Sequence, residues 1–295
     1  METGADKRGY LYEDFRLFHL KDSRGQRLGD HYHEFDKLTL CLGGRVTYVV
    51  EGVTYFLRPW DLLLVSRGSI HRVSIESSEP YERVVIWLGR DWLKRRGSAD
   101  ADLSDCFELA RRRNFHLLRL APEQKLDYLS SVQAMEAALH SREFGSALLA
   151  DTLCQQLLIR VNRDILKDRT AEQTDSYRTD PKMEAILRYI GGHLSERLDV
   201  DTLASRFYLS RYYLMHRFKA VTGYTVHQYI NQKRLLLAGE LIRGGMPVMK
   251  AAEQSGFQEY STFLRAFQNT FRTSPRVFSG QLERREELRP GPDVD

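Results

Sequence analysis

The stretch LASRFYLSRYYLMHRFKAVTG, residues 203–223, is the most informative part of the sequence for the C-terminal structure of this chain. Asp199 can cap a helix that leads into the stretch, and Ser210 can cap a second helix after a short turn. Leu214 and Phe218 lie four residues apart, which is the spacing of buried positions on one helix face. The stretch therefore predicts two short helices joined by a tight turn, which is a helix-turn-helix.

The same pattern recurs 49 residues later in AAEQSGFQEYSTFLRAFQNTF, residues 251–271. Phe263 and Phe267 repeat the apolar pair, and Gly256 supplies a turn residue that tolerates a positive φ angle. An internal repeat of this kind predicts a domain built from two helix-turn-helix units.

Basic charge is concentrated in the same part of the chain. The whole chain has a formal charge of +4, but residues 181–280 contain 14 Lys plus Arg against 7 Asp plus Glu, a net +7 that leaves −3 for the rest. An excess of this size is typical of a surface that meets a polyanion, although some proteins that bind no nucleic acid have it too.

The N-terminal part has a different pattern. Between residues 37 and 88, short runs rich in Val, Thr, Tyr and Ile alternate with turns that contain Gly or Pro, which is typical of a β-sandwich or barrel. Residues 126–140 and 144–166 have apolar residues three or four positions apart and predict two helices. Residues 168–180 contain almost no apolar side chains, so we expect a solvated linker there.

Composition also excludes several classes of protein. Seven charged side chains in the first twenty residues leave no room for a signal-peptide core, and no run approaches the roughly 18 apolar residues of a membrane span. Cys41, Cys106 and Cys154 are widely spaced and form no Cys-x-x-Cys pair, which fits reduced thiols and no zinc ribbon. We expect a soluble, cytoplasmic protein that does not associate with a membrane.

The segments 203–223, 229–242 and 251–278 resemble, in motif order and spacing, the AraC/XylS family of bacterial transcription regulators. The resemblance implies that a helix from about Val226 to Arg243 separates two recognition helices, which enter successive major grooves about 34 Å apart. It also implies promoter DNA and RNA polymerase as partners. Because most relatives with this architecture are activators, we expect an activator.

The resemblance further implies DNA contacts from both recognition helices. Arg265 is the strongest candidate, because a guanidinium fork fits the O6 and N7 atoms of guanine. The alternative is that an arginine or histidine on the surface of these helices contacts only solvent. The predicted DNA-contacting residues are Arg211, Tyr212, Met215, His216, Lys219, Ser261, Thr262 and Arg265.

The second unit departs from the family pattern at three positions. Gln268 stands where relatives commonly have Lys, Arg272 where they have Gly, and Phe278 where they have Tyr. The first change removes an expected phosphate contact, whereas Lys219 keeps it in the first unit. We therefore expect the second unit to bind DNA more weakly than the first.

Near the N-terminus, the segments around His31, His33 and His71 resemble the cupin-type sensor barrel of many AraC-like regulators. In metal-binding cupins a glutamate completes the three-histidine set, but here Lys37 stands at that position. A cation among metal ligands is repulsive, so we predict no metal and no other cofactor. His31, His33, Lys37 and His71 are instead predicted to bind an anionic or heavily hydroxylated effector, such as a sugar or sugar acid. The alternative is that the histidines are packed or solvated and Lys37 points outward.

The two predicted helices between Leu126 and Leu166 have leucine-rich faces. In the family such helices mediate dimerisation, so we expect a homodimer; otherwise these faces would pack on the barrel of the same chain.

These patterns predict an α+β chain of two domains. The expected boundaries are 1–100 for a cupin-like ligand-sensing barrel, 101–167 for a helical dimerisation segment, 168–180 for the linker, 181–280 for the all-α double helix-turn-helix domain, and 281–295 for a charged tail.

Three functions fit these expectations. The leading hypothesis is a DNA-binding regulator that responds to a small molecule in the barrel. The alternatives are a metal-dependent cupin enzyme and a regulator that responds to no ligand. No nucleophile elbow, phosphate loop or paired-acid motif occurs in the sequence, so we predict no catalytic residues and no enzymatic activity.

Overall fold

A computed structural model describes residue 11 and residues 13–22, 26–75, 79–98, 100–167 and 177–279. The chain divides into two compact units, of which the first ends at Asp180 and the second begins at Pro181. The predicted tail at 281–295 and most of the predicted linker lie outside the described residues.

The first unit combines short strands with four helices among its described residues. Its elements are β1 (Phe15–Asp22), β2 (Gln26–His31), β3 (Asp36–Gly43), β4 (Val46–Val50), β5 (Val53–Leu57), β6 (Asp61–Val65), β7 (His71–Ile75), β8 (Tyr81–Leu88), α1 (Arg90–Arg96), α2 (Asp105–Arg113), β9 (Leu117–Arg119), α3 (Pro122–His140), α4 (Ser146–Lys167) and β10 (Tyr177–Arg178).

The strands form two antiparallel sheets in the described part of the chain. One has the strand order β1-β8-β3-β6-β9 and the other β10-β5-β4-β7-β2. β3 is buried on both faces: Leu38 and Leu40 pack with residues of the four helices, while Cys41 belongs to the apolar cluster between the sheets. Because side chains alternate along a strand, Lys37 and Thr39 share the inward direction of Cys41.

The end of the predicted linker differs from our expectation. Tyr177 and Arg178 are not solvated chain but form β10, which pairs with Tyr55 and Thr54 of β5. The physical reason is that an uncovered strand edge offers backbone N–H and C=O groups to any nearby extended segment. Composition alone carries no sign of such a partner.

The second unit is all-helical in its described part. Its helices are α5 (Pro181–Gly192), α6 (Val200–Arg206), α7 (Arg211–Thr222), α8 (Val226–Arg243), α9 (Val248–Gln254) and α10 (Tyr260–Phe271). Together with the barrel-like first unit, it confirms the predicted α+β class and the two helix-turn-helix units.

Side-chain caps start three of these helices. Asp199 accepts a hydrogen bond from the Thr202 backbone N–H, and Ser210 accepts one from Tyr213. Thr225 forms a capping box with Gln228 at the start of α8. Within the described residues, no side chain caps α9 or α10. The second helix-turn-helix therefore depends on packing, which Phe263, Phe267, Phe271 and Phe278 supply.

One contact fixes the junction between the two helix-turn-helix units. Arg234 on α8 donates from Nε to the carbonyl oxygen of Leu194 at 2.9 Å and from Nη2 to that of Glu196 at 2.7 Å. Gly256 adopts φ +93°, and a Cβ atom there would lie 2.0 Å from the Leu194 oxygen. Only glycine lets the turn of the second unit approach this carbonyl so closely.

Among the described residues, no helix is both long enough and apolar enough to cross a membrane.

Candidate DNA-binding surface and effector site

The first recognition helix, α7, buries one face and exposes the other. Leu214 and Phe218 are completely buried. The five predicted contact residues on this helix, Arg211, Tyr212, Met215, His216 and Lys219, are all exposed. Tyr212 and His216 have nearly parallel rings 6.2 Å apart, so they offer an aromatic pair on the outer surface.

Arg211 has an intramolecular partner that the sequence did not reveal. Its Nη1 donates to both carboxylate oxygens of Asp201 on α6, at 2.9 and 2.8 Å. Both side chains are more than half exposed, so the pair is weak and open to competition from a phosphate. The two residues are ten positions apart and come together only because the turn folds α7 back against α6.

The second recognition helix, α10, has the same arrangement with less charge. Phe263 and Phe267 are completely buried, whereas Ser261, Thr262 and Arg265 are exposed. Arg265 is the only charged residue in the sequence of α10, while α7 contains three cations and no acid. This difference supports the expectation that the second unit binds DNA more weakly.

In the barrel, the structure brings the four predicted effector residues together. The ring centroids of His31 and His71 are 4.2 Å apart, and those of His33 and His71 are 4.8 Å apart. Lys37 Nζ lies 2.9 Å from His71 Nε2 and 5.8 Å from the centre of the Tyr48 ring. Lys37 points inward and is 8% exposed, contrary to the alternative that it faces solvent.

The hydrogen bonds of the histidines fix their tautomers. Each Nδ1 atom lies within hydrogen-bond distance of a backbone carbonyl two residues away, and a carbonyl can only accept, so Nδ1 carries the proton. The carbonyls belong to Gly29 for His31, Phe35 for His33 and Ser69 for His71, at 2.8, 2.7 and 3.0 Å. All three Nε2 atoms therefore keep a lone pair, and that of His71 accepts from Lys37.

Burial and the charge of Lys37 keep these rings neutral. Burial, followed by the nearby Lys37, holds the pKa of His33 and of His71 well below 6.5, and the same causes lower the pKa of His31. At neutral pH the cluster thus consists of three hydrogen-bond acceptors around one ammonium group.

This donor set does not fit a metal ion. No group of three or more His, Cys, Asp or Glu side chains in the described ranges could hold one. Lys37 Nζ lies against His71 Nε2, the atom that would otherwise be a ligand, and an ammonium repels a divalent cation.

Further polar atoms lie inside the barrel. Within the described residues, His33 Nε2, Thr39 Oγ1 and the Tyr81 hydroxyl make no hydrogen bond of good geometry, although the Tyr48 hydroxyl interacts with those of Thr39 and Tyr81. Buried polar groups normally have partners, so these atoms are candidates to contact a ligand. Sequence reasoning missed Thr39, although it lies two residues after Lys37 and so on the same face of its strand.

Helices α3 and α4 each have one buried face and one exposed face. One face of each helix is buried against the barrel, with Tyr128 and Met135 on α3 and Leu157 and Val161 on α4. The other side leaves large apolar side chains exposed, namely Leu126, Leu139, Leu148, Leu149, Ile159 and Leu166. The helices therefore pack on their own barrel and still expose apolar residues on their other side.

Comparison with known proteins agrees with both halves of this description. A helix-turn-helix domain model matches residues 203–281, and a cupin domain model matches residues 19–87. Regulatory protein SoxS of Salmonella typhimurium is 32% identical over 101 residues, which are 34% of this chain and 94% of SoxS. This chain belongs to the AraC/XylS family of transcription regulators.

Other members of the AraC/XylS family and related structures match more of the chain. Regulatory protein PocR of Salmonella typhimurium is 30% identical over 152 residues, which cover 48% of this chain and only 50% of PocR. This chain thus matches about half the length of PocR. The crystal structure of ToxT from Vibrio cholerae covers 91% of this chain and 98% of its own, at 15% identity and a TM-score of 0.37.

Proposed function

We propose that this protein is a sequence-specific DNA-binding regulator that reads promoter DNA with α7 and α10 and responds to a small molecule in the barrel. The observation that carries the proposal is that both recognition helices have one buried face and one exposed face. Each buries a pair of residues four positions apart and turns its predicted contact residues outward. A helix exposed in this way can enter a major groove.

The test of DNA binding uses the full-length protein and fragments that it selects from random DNA. We expect specific binding that weakens with salt, because phosphate contacts release counterions. Arg265→Ala should cost about 1–3 kcal/mol at one base position and relax the preference there. Arg142→Ala removes the same charge from an exposed loop of the other unit and is the matched control. Failure of the wild type to select any sequence would refute the proposal.

The chemistry of the barrel favours a hydroxylated effector. The lone pairs on the Nε2 atoms of the histidines can accept hydrogen bonds from ligand hydroxyls, and Lys37 can donate to a ligand oxygen. A simple carboxylate would satisfy Lys37 but would face the lone pairs of the neutral histidines. A sugar or sugar acid matches both kinds of group.

Thermal stability in the presence of ligands tests this part of the proposal. We expect neutral sugars or sugar acids to raise the melting temperature, since a ligand that binds only the folded state stabilises it by mass action. Simple carboxylates should not do so. The effect should disappear in His71→Ala and persist in His140→Ala, which changes an exposed histidine on α3. Stabilisation by simple carboxylates alone would contradict the proposed ligand class.

The exposed apolar residues of α3 and α4 support homodimerisation as part of the same function. A dimer would bring four helix-turn-helix units to two half-sites. Activation of transcription stays a prediction, which a promoter–reporter assay with and without the protein tests directly.

A further inference from the structure

Arg234 lies where three parts of the DNA-binding unit meet. Its guanidinium projects from the middle of α8 and donates to the carbonyl oxygens of Leu194 and Glu196, at 2.9 and 2.7 Å. Both carbonyls belong to the loop between α5 and α6, which leads into the first helix-turn-helix. Gly256, in the turn of the second helix-turn-helix, lies so close that a Cβ atom there would be 2.8 Å from Arg234 Nε. We call this group of four residues the clamp.

Helix α8 contacts each helix-turn-helix at a separate point. On one side of Arg234, the ring of Tyr229 lies 5.4 Å from that of Phe218 on α7. On the other side, Gly239 packs so closely on Phe271 of α10 that a Cβ atom would lie 3.2 Å from the ring. These two contacts are ten residues apart along α8, about 15 Å, and Arg234 is midway between them.

The clamp adds a directional contact that the two apolar contacts lack. Apolar packing tolerates small rotations because its attraction is non-directional, whereas a hydrogen bond weakens steeply when it is bent. The planar guanidinium donates both hydrogen bonds in one fixed geometry. Burial lowers the pKa of Arg234, but an arginine stays protonated in proteins, so both bonds are charge-assisted. The loop before α6 and the turn before α10 are therefore held in one orientation about Arg234.

The relative orientation of the two helix-turn-helix units decides which DNA they can bind together. Two recognition helices that enter successive major grooves must be one helical turn apart, about 34 Å. One base pair inserted between their sites moves one site by about 3.4 Å and turns it by about 34° around the DNA axis. A rigid junction loses contacts at one site when this happens, whereas a loosened junction can follow the change.

We propose that Arg234 is a positioning residue that fixes the spacing between the two DNA sites bound by α7 and α10. The proposal rests on the proposed function, since both helices must bind DNA. Arg234 acts through the loop and the turn that it holds. Its removal should therefore relax the required spacing without changing the bases that either helix prefers.

Binding to DNA of different spacings tests the proposal. The wild type first selects a sequence from random DNA. This sequence is then made with one base pair added or removed between the two sites, and as fragments in which one site is scrambled. Affinities are measured for the full-length wild type and for Arg234→Met, which removes both hydrogen bonds. Arg234→Lys keeps the charge but lacks the planar fork, so it should give an intermediate result and replaces Arg234→Met if that variant does not fold.

We expect the wild type to lose about tenfold in affinity when one base pair is added or removed, which is the scale of one lost base contact. Arg234→Met should lose less than about threefold, while its affinity for a fragment with one intact site should stay within about twofold of the wild type. Two control variants should keep the wild-type spacing preference. Lys182→Met removes a charge from an exposed position on α5, and Ile186→Ala removes a buried side chain of the same helix. They separate the role of Arg234 from effects of charge and of stability.

The outcomes distinguish this proposal from the proposed function. Equal spacing penalties in the wild type and Arg234→Met would overturn the role of Arg234 and leave the regulator intact. A selected sequence that contains only one site would do the same. Failure of the wild type to select any sequence would refute both.

A second measurement examines the junction without DNA. Ala220→Cys on α7 and Asn269→Cys on α10 provide exposed positions for two spin labels, and the native cysteines are buried and do not compete. Labelled protein is diluted with unlabelled protein, so that double electron–electron resonance reports distances within one chain. We expect a single narrow distance distribution in the otherwise wild-type protein and a broader one when Arg234→Met is added. An unchanged width would overturn the proposal.

Discussion

Replacement of Gly256 by alanine should destabilise the DNA-binding unit more than an ordinary substitution of a turn glycine. A Cβ atom at this position would lie 2.0 Å from the Leu194 carbonyl oxygen and 2.8 Å from Arg234 Nε. The backbone must shift, which breaks the 2.9 Å hydrogen bond that joins those two groups. Loss of a hydrogen bond from a charged donor costs about 1.5–3 kcal/mol, and alanine at a positive φ costs about 1 kcal/mol more. We therefore expect the free energy of unfolding to fall by about 2.5–4 kcal/mol.

Gly245→Ala is the matched control for this experiment. Gly245 also has a positive φ, +84°, but a Cβ atom there would meet nothing within 4 Å. Gly245→Ala should therefore lower the free energy of unfolding by only about 1 kcal/mol, the cost of alanine at a positive φ angle. In urea unfolding, circular dichroism at 222 nm reports the helices of both units, while fluorescence of Trp60, Trp87 and Trp92 reports the first unit alone. A transition that circular dichroism shows and fluorescence does not therefore belongs to the DNA-binding unit. If Gly256→Ala costs no more than Gly245→Ala, the clash with Leu194 does not govern stability and the reasoning fails.

Three further predictions follow from the two candidate sites and the helical face. Asp201→Asn should release Arg211 and raise the affinity for non-specific DNA by up to about fivefold in a binding assay at low salt. An unchanged affinity would show that the ion pair does not compete with phosphate. Because His33 has its pKa held below 6.5 by burial, the unfolded chain binds more protons than the folded one in acid. The contribution of these histidines to the free energy of unfolding of the first unit should be fully present above about pH 6.5. Below that pH it should fall by up to about 1.4 kcal/mol per pH unit for each such histidine. His33→Phe should weaken this pH dependence in urea titrations monitored by tryptophan fluorescence. Leu148→Glu should convert a dimer to a monomer in sedimentation experiments because it buries a charge in the partner face, whereas Gln254→Glu, which adds the same charge to α9, should not.

Much of the fold could be predicted because its signals are local. Asp199 and Ser210 cap the helices that the sequence predicts for them, and the apolar spacing of Leu214 and Phe218 follows directly from the helical repeat. The alternation of strands and turns likewise depends on neighbouring residues. The family comparison confirms the two kinds of domain that these patterns predict.

What the sequence did not reveal depends on contacts between distant residues. The pairing of Tyr177 with Tyr55 joins positions more than a hundred residues apart, and no local pattern marks a strand of two residues. The hydrogen bonds that fix the tautomers of the three histidines require knowledge of where backbone carbonyls point. The DNA contacts of Arg265 and its neighbours stay predictions, since their exposure is necessary for such contacts but does not establish them.

The uneven capping of the two helix-turn-helix units has a consequence for folding kinetics. Side-chain caps and a capping box lower the cost of starting a helix from local sequence alone, so α6, α7 and α8 can begin to form before the chain collapses. The second unit has no such signals in the described residues, and α10 must wait for its phenylalanines to find one another. We expect φ-values near zero for Phe267 and higher values around Thr225 in the transition state. A chain that is still folding, or that has begun to unfold, would then present its first reading helix without its second.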